Sequence, residues 1–456
     1  MLATNSIAGY ITTHTTLPII QTHNSNIMPR YSPSLDGILH QIDGSDDQMT
    51  RIQDNYLQQF RQVGDPLMDN IVSLAKHERI ISKVTVNYMQ KAYDMRIDQR
   101  SPAQQEMADF YDHCSQVPSW VDFEQLQRGM DVFFKYLPAI STSLFFRSLI
   151  SGFSFPGITE VLKETSYLGN NSKKRSGTSN RRLLDTITYV TTNMISAKSL
   201  KPGGEAWKWG LEVRAIHGKV RHRLMNNKHN KWDTALHGIP INPEDMSATL
   251  LGFSQAAIQG LDWILPIMTP ADKSDYIALW RYMGWLVGID TRDDKMARHE
   301  TTLDPLGGGT KQIELINACI SQHLIQTTDD AKKMTKHLLS SVIGQDNETS
   351  YKLLSVMSHK WLGNDFASAL DIPERNSLLL KALIAGHINV LRLYMIAVTK
   401  FRFVGQIAVA MNRRLSLLAT NAMNERRGFR RSFLDDRTTG GTSRCPMAKF
   451  LSYMRI

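Results

Sequence analysis

From Gln48 onward apolar positions recur at helical spacing, as in Ile52, Tyr56, Phe60, Val63 and Leu67, whereas residues 1–45 are rich in Thr, Ser, Asn and Pro without a sustained period. The folded part is therefore expected from about residue 46, after a disordered or extended lead-in. The spacing predicts helices over 66–95, 123–136, 205–226, 243–265, 271–287, 312–326 and 377–418, and period-two runs bounded by turn dipeptides are hard to find. The chain reads as all-α. Polar or Gly-rich stretches at 169–180, 304–310 and 435–443 are short enough to be loops within one domain, and no repeat of fixed period occurs. The expected organisation is one large helical domain over 46–432 and a tail over 433–456.

Composition adds limits. Of 456 residues 42% are hydrophobic, which excludes a disordered chain and allows a substantial core. Cys114, Cys319 and Cys445 are odd in number and far apart, so a disulfide framework and CxxC-type zinc or redox motifs are excluded, and a reducing compartment fits. Lys and Arg exceed Asp and Glu by 53 to 43, a net charge of +10 that invites nucleic acid or an anionic membrane as partner. The basic clusters Lys173-Lys174-Arg175, Arg426-Arg427 and Arg430-Arg431 are short and carry no nucleic-acid signature, so no nucleic acid is expected. The stretch to Met28 lacks the basic region of a secretory signal, and 378–398 is interrupted by Lys381, His387 and Arg392. Neither a signal peptide nor a transmembrane helix is expected. The location would be cytoplasmic or peripheral to an internal membrane, with contact to a membrane surface left open.

The segment with most chemistry is PGGEAWKWGLEVRAIHGKVRHRL, residues 202–224. Pro202-Gly203-Gly204 signals a turn, and Glu205 suits a helix N-terminus. Arg214, His217 and Arg221 then stand at i, i+3 and i+7 on one face, directed with Val213, Val220 and Leu224 toward apolar surroundings. Buried cations need partners. Haem would supply them: imidazole is a standard axial iron ligand, and two arginines can pair with propionates. The alternative is a histidine satisfied in a core, with arginines reaching back to solvent. A metal held by protein side chains alone is disfavoured, because His217, His222 and His229 fit neither i, i+4 spacing nor HExxH. Upstream, Arg182, Asp185 and Thr186 share another helix face; downstream, Asn242, Pro243, Glu244 and Asp245 read as N-cap and first turn.

In order, R-x-x-x-T (Arg182, Thr186), PGG-x-x-W (202–207), VR-x-x-H-x-x-x-R (213–221) and G-x-PIN-x-x-DM-x-x-T-x-x-x-FS (238–254) resemble the latex-clearing-protein superfamily, which includes ER-bound oxygenases of the MpaB type. The segment RYMGWLVGI, 281–289, is similar to the family's aromatic/Gly helix. The resemblance implies an all-α fold with a globin-related core and additional helices, and a haem-b-dependent oxygenase. It makes His217 the proximal ligand of the haem iron, Arg214 and Arg221 its flanking arginines, and Arg182 and Thr186 the distal pair beside oxygen and substrate. The rubber oxygenases carry lysine directly before that threonine; here it is Asp185, so lysine coordination is not inherited, and the carboxylate either relays protons or closes a salt bridge. The upstream acid has no motif, with Glu160 and Glu164 as nearby candidates. The implied reaction is O2-dependent cleavage of a C=C bond in an apolar isoprenoid or lipid. Phe145, Phe146, Phe153, Leu183, Leu184 and 250–253 are candidate pocket residues. The competing reading is a non-catalytic haem- or lipid-binding protein on the same scaffold.

Overall fold

A computed structural model describes residues 57–165, 186–227, 232–289, 303–343, 348–374 and 377–426. The 1–45 lead-in, the 433–456 tail, the 169–180 loop and the basic clusters at 173–175 and 430–431 lie outside the described residues. Every regular element among those described is helical.

Several boundaries follow from local chemistry as expected. The helix Glu205–Met225 starts behind Gly204, and Gly203 adopts φ +79°, a conformation open to glycine. Pro243–Phe253 is capped by the Asn242 side chain, which accepts from the Asp245 N–H, with Pro243 in the first turn. Phe123–Lys135, Pro270–Leu286 and Thr310–Leu324 match their predicted spans to within two residues.

Three long predicted runs are broken. The 66–95 run splits into Pro66–His77 and Val86–Asp94, because the chain turns at Arg79 with φ +62°. The 243–265 run divides at Ser254, whose ψ of −79° and hydroxyl bond to the Leu250 carbonyl end the first helix before Gln255–Ile264 begins. The 377–418 run divides at Phe401, extended at φ −107°, ψ 98°, into Leu378–Lys400 and Arg402–Arg426. Apolar periodicity continues across each break, so only the backbone reveals it.

Two helix pairs position the site. Glu205–Met225 lies against Pro66–His77, with Gly218 leaving room for Met68 and Val72. On another side Gly210 meets Leu286 of Pro270–Leu286, whose Gly284 in turn meets Leu250. Tyr282 donates to the Leu200 carbonyl at 3.1 Å and so ties this packing to the turn before Glu205. A continuous helical run over 137–152 includes a π-helical stretch, Leu144–Leu149, whose Ser148 hydroxyl donates to the Gly252 carbonyl.

Leu378–Lys400 is long and apolar enough to cross a membrane: an 18-residue window has mean hydropathy 1.5, and only 28% of it is buried. Requiring windows free of charge passes over this helix, which tolerates Lys381 near its start and Arg392, bonded to the Ile264 carbonyl at 2.8 Å.

Candidate functional site

Arg214, His217 and Arg221 share one face of their helix, as the spacing requires. Both arginines have acidic partners within the protein. Arg214 is bidentate with Asp65, Nε to Oδ2 at 2.6 Å and Nη2 to Oδ1 at 2.9 Å, and lies over the Phe110 ring at 5.1 Å. Arg221 donates to Asp69 Oδ1 at 2.5 Å and to the carbonyls of Pro240 and Ile241 at 3.0 and 2.9 Å. Nor do they snorkel, since both residues are buried. Their counter-charges come from one short helix: Asp65 caps Pro66–His77 by accepting the Met68 N–H, and Asp69 stands one turn further on. No spacing rule connects these acids to arginines about 150 positions later.

Burial alone would raise the Asp65 pKa, but Arg214, with help from Arg221, overcomes it and holds the carboxyl below its ordinary value. At Asp69 burial outweighs Arg221, and the pKa rises. His217 is pushed down to about 4, first by desolvation, then by Arg221, with Asp65 opposing. Its imidazole is therefore neutral at pH 7. Among the described residues its buried Nδ1 has no hydrogen-bond partner, although the residue keeps part of its surface accessible. The ring is thus enclosed by protein while part of the residue stays accessible.

Two further groups share that character. Asp245 is raised to about 8 by desolvation and by neighbouring Glu244, against Arg61 and an Asn242 hydrogen bond. Its carboxyl faces Gly157, where a side chain's Cβ would lie 2.8 Å from Oδ2. The sequence presents Asp245 as a first-turn acid only. Arg147, on the π-helical stretch, is lowered by desolvation with no opposing acid. Among the described residues it has no hydrogen-bond or ion-pair partner, yet it is only half-buried. Its sequence signal is a lone charge within the apolar run LFFRSLI. Pro243–Phe253 connects the two: Asp245 sits in its first turn, and Gly252, which receives Ser148, lies about 10 Å along it.

Thr186 is exposed on a helical stretch over 186–193; Arg182, Asp185, Leu183 and Leu184 lie outside the described residues. The structure thus joins the three His217-helix residues without showing the distal group beside them. Phe146 and Phe153 are buried in the core, and Phe253 stacks on Trp280 with centroids 4.9 Å apart. Glu160 pairs with Lys163 at 2.8 Å, whose ammonium also reaches Asp330 at 3.2 Å. That pairing leaves Glu160 in an ordinary ion-pair cluster.

A catalytic-domain family described as ER-bound oxygenase mpaB/B'/rubber oxygenase matches residues 146–393. A rubber oxygenase of Streptomyces sp. (strain K30) is 21% identical over 277 residues, covering 59% of this chain and 61% of that protein. The chain thus spans about three-fifths of the length of this curated relative. A solved structure of latex clearing protein in the closed state is similar with a TM-score of 0.55 at 15% identity, covering 78% of this chain and 91% of the other. At that identity the likeness is one of fold, and the fold is all-helical.

Proposed function

Because the chain belongs to the ER-bound oxygenase mpaB/B'/rubber oxygenase catalytic-domain family, we propose that it is an O2-consuming oxygenase holding haem b at His217 and cleaving a C=C bond of an apolar isoprenoid or lipid. The observation that carries this reading is the His217 ring, neutral at pH 7 and with a buried nitrogen left unbonded. An unprotonated imidazole is the form that ligates iron. Among the described residues no group of three or more His, Cys, Asp or Glu is placed to hold a metal ion. His217 would hold the haem iron as its protein ligand. When bound, haem supplies the iron centre at which O2 is activated.

The chain's own residues would fix geometry and charge. Arg214 and Arg221, paired with Asp65 and Asp69, hold the His217 helix in place. Arg147 is the enclosed cation that fits a carboxylate on a ligand. Asp245, protonated at neutral pH, offers an acidic proton from the wall formed by Pro243–Phe253. Apolar side chains around Phe253 and Trp280 would exclude water. Arg182 and Thr186 are assigned the distal side on the motif alone, and Asp185 a salt bridge there.

Expression with haem supply tests the premise. A Soret band is expected in the wild type, and its loss or shift in His217→Ala; an unchanged band would remove the proximal assignment. Asp185→Ala should retain haem and alter oxygenation kinetics. O2 uptake in the presence of unsaturated lipid separates an oxygenase from a haem-binding scaffold without turnover.

A further inference from the structure

Of the large apolar side chains that stand exposed among the described residues, 13 of 17 fall between Leu378 and Leu418. Twelve of the thirteen belong to the two consecutive helices that end the described chain, and Phe401 stands at the bend between them. Leu378–Lys400 buries a stripe of Ile384, Ile388, Leu391, Met395 and Val398, spaced i, i+4, i+7, i+11 and i+14. Its opposite face is apolar as well, with Leu379 70%, Val390 63% and Leu393 67% exposed. Arg402–Arg426 presents Phe403, Ile407, Met411 and Leu415 at four-residue intervals, between 47% and 72% exposed. A helix apolar on both its packed and its exposed sides is at home inside a protein or in lipid, and exposed apolar side chains concentrated in this way are more than a water-facing surface ordinarily carries.

Charge selects the occupant. From Ser377 to Asn424 the chain has six Lys or Arg and no Asp or Glu. Lys400 and Arg402 at the bend, and Arg414 beside the Leu415 stripe, are exposed. A second copy docked on this face would set basic groups against basic groups; anionic headgroups supply the missing sign. We infer that this helical pair docks on an anionic lipid bilayer, its apolar faces in the interfacial layer and its basic side chains among the headgroups. The buried stripe holds Leu378–Lys400 to the protein body along its length, and Tyr394 donates to the Lys135 carbonyl at 2.9 Å. A helix so attached lies along the membrane surface rather than across it. The inference is independent of haem and of turnover.

The full chain is mixed with phosphatidylcholine vesicles with or without phosphatidylserine, and binding is followed by flotation. Binding should require phosphatidylserine and weaken as salt rises. The Leu393→Glu/Ile407→Glu variant should bind at least about tenfold more weakly. Leu236→Glu, at a residue 67% exposed elsewhere, should bind as wild type does. Leu393→Cys labelled with an environment-sensitive dye should shift to the blue on vesicles, a readout that needs no destabilising charge. Vesicle binding unaffected by the paired glutamates would overturn the inference. So would a wild-type oligomer that ignores vesicles and that the same glutamates dissociate, which would assign the face to a second copy.

Discussion

Replacing Asp65 by Asn isolates the charge of the buried ion pair. Asparagine is a good N-cap and its carbonyl can still accept the Met68 N–H, so the start of Pro66–His77 survives. The amide –NH2 then faces the Arg214 guanidinium, donor against donor, where the carboxylate accepts at 2.6 and 2.9 Å. The Arg214 and Asp65 side chains are 3% and 9% exposed, so water cannot replace the lost anion. Breaking a pair of this kind costs about 3–5 kcal/mol. With an unfolding entropy of about 0.7–0.8 kcal/mol per K for a fold of this size, Tm should fall by about 4–7 °C. Arg214→Met in the same chain removes the stranded cation and should restore at least half of the loss, because an apolar replacement of both partners is nearly neutral. Calorimetry and urea unfolding at pH 7 on wild type, both single variants and the double variant give the cycle. A loss below about 1 kcal/mol in Asp65→Asn, or strictly additive effects, would refute the view that the two helices are joined by this charge.

Four further outcomes follow from the same structure. Arg147→Met should stabilise the ligand-free protein by about 1–3 kcal/mol while weakening binding of a carboxylate ligand, as measured by melting with and without an unsaturated fatty acid; destabilisation would show that the cation has a protein partner. Gly288→Ala should cost about 2–3 kcal/mol in urea unfolding, since its φ of +106° strains any side chain and its Cβ would lie 2.9 Å from Asp65 Oδ2 and 3.0 Å from Arg214 Nε; a neutral substitution would mean that the pair is looser than described. Asp245 titrates at 3.8 unfolded and about 8 folded. Its contribution is full below pH 3.8 and is lost as pH rises through 8. Asp245→Asn should remove that decline from Tm-against-pH curves, and an unchanged slope would contradict a protonated carboxyl. His217, held at about 4 against 6.5, acts in the opposite sense, weakening the fold as pH falls from 6.5 toward 4.

What was legible in the sequence is local. Asn242 and Pro243 announce a helix start through their own backbone chemistry, and the 214, 217, 221 face follows from helical geometry alone. The breaks at Arg79, Ser254 and Phe401 were hidden because apolar spacing persists through them. Buried cations need counter-charge, and Asp65 and Asp69 supply it to Arg214 and Arg221 from far upstream, a pairing that no local spacing encodes. Asp245 reads as a helix-start acid because its unusual protonation arises from Glu244 and burial together, which no spacing encodes. Arg147 left a trace, a single charge in an apolar run, whose meaning depends on finding no partner in three dimensions.

The acids at 65 and 69 are synthesised 149 and 152 residues before the arginines that pair with them. At ordinary elongation rates of about 5–20 residues per second, they wait about 7–30 s on the ribosome before their cations emerge. During that interval the face of Pro66–His77 that later meets Gly218, with Met68 and Val72, lies uncovered, and a chaperone holding the nascent N-terminal half would be guarding this seam. Synonymous changes that slow translation between residues 77 and 214 would lengthen the exposure and lower soluble yield without altering a single residue of the finished protein.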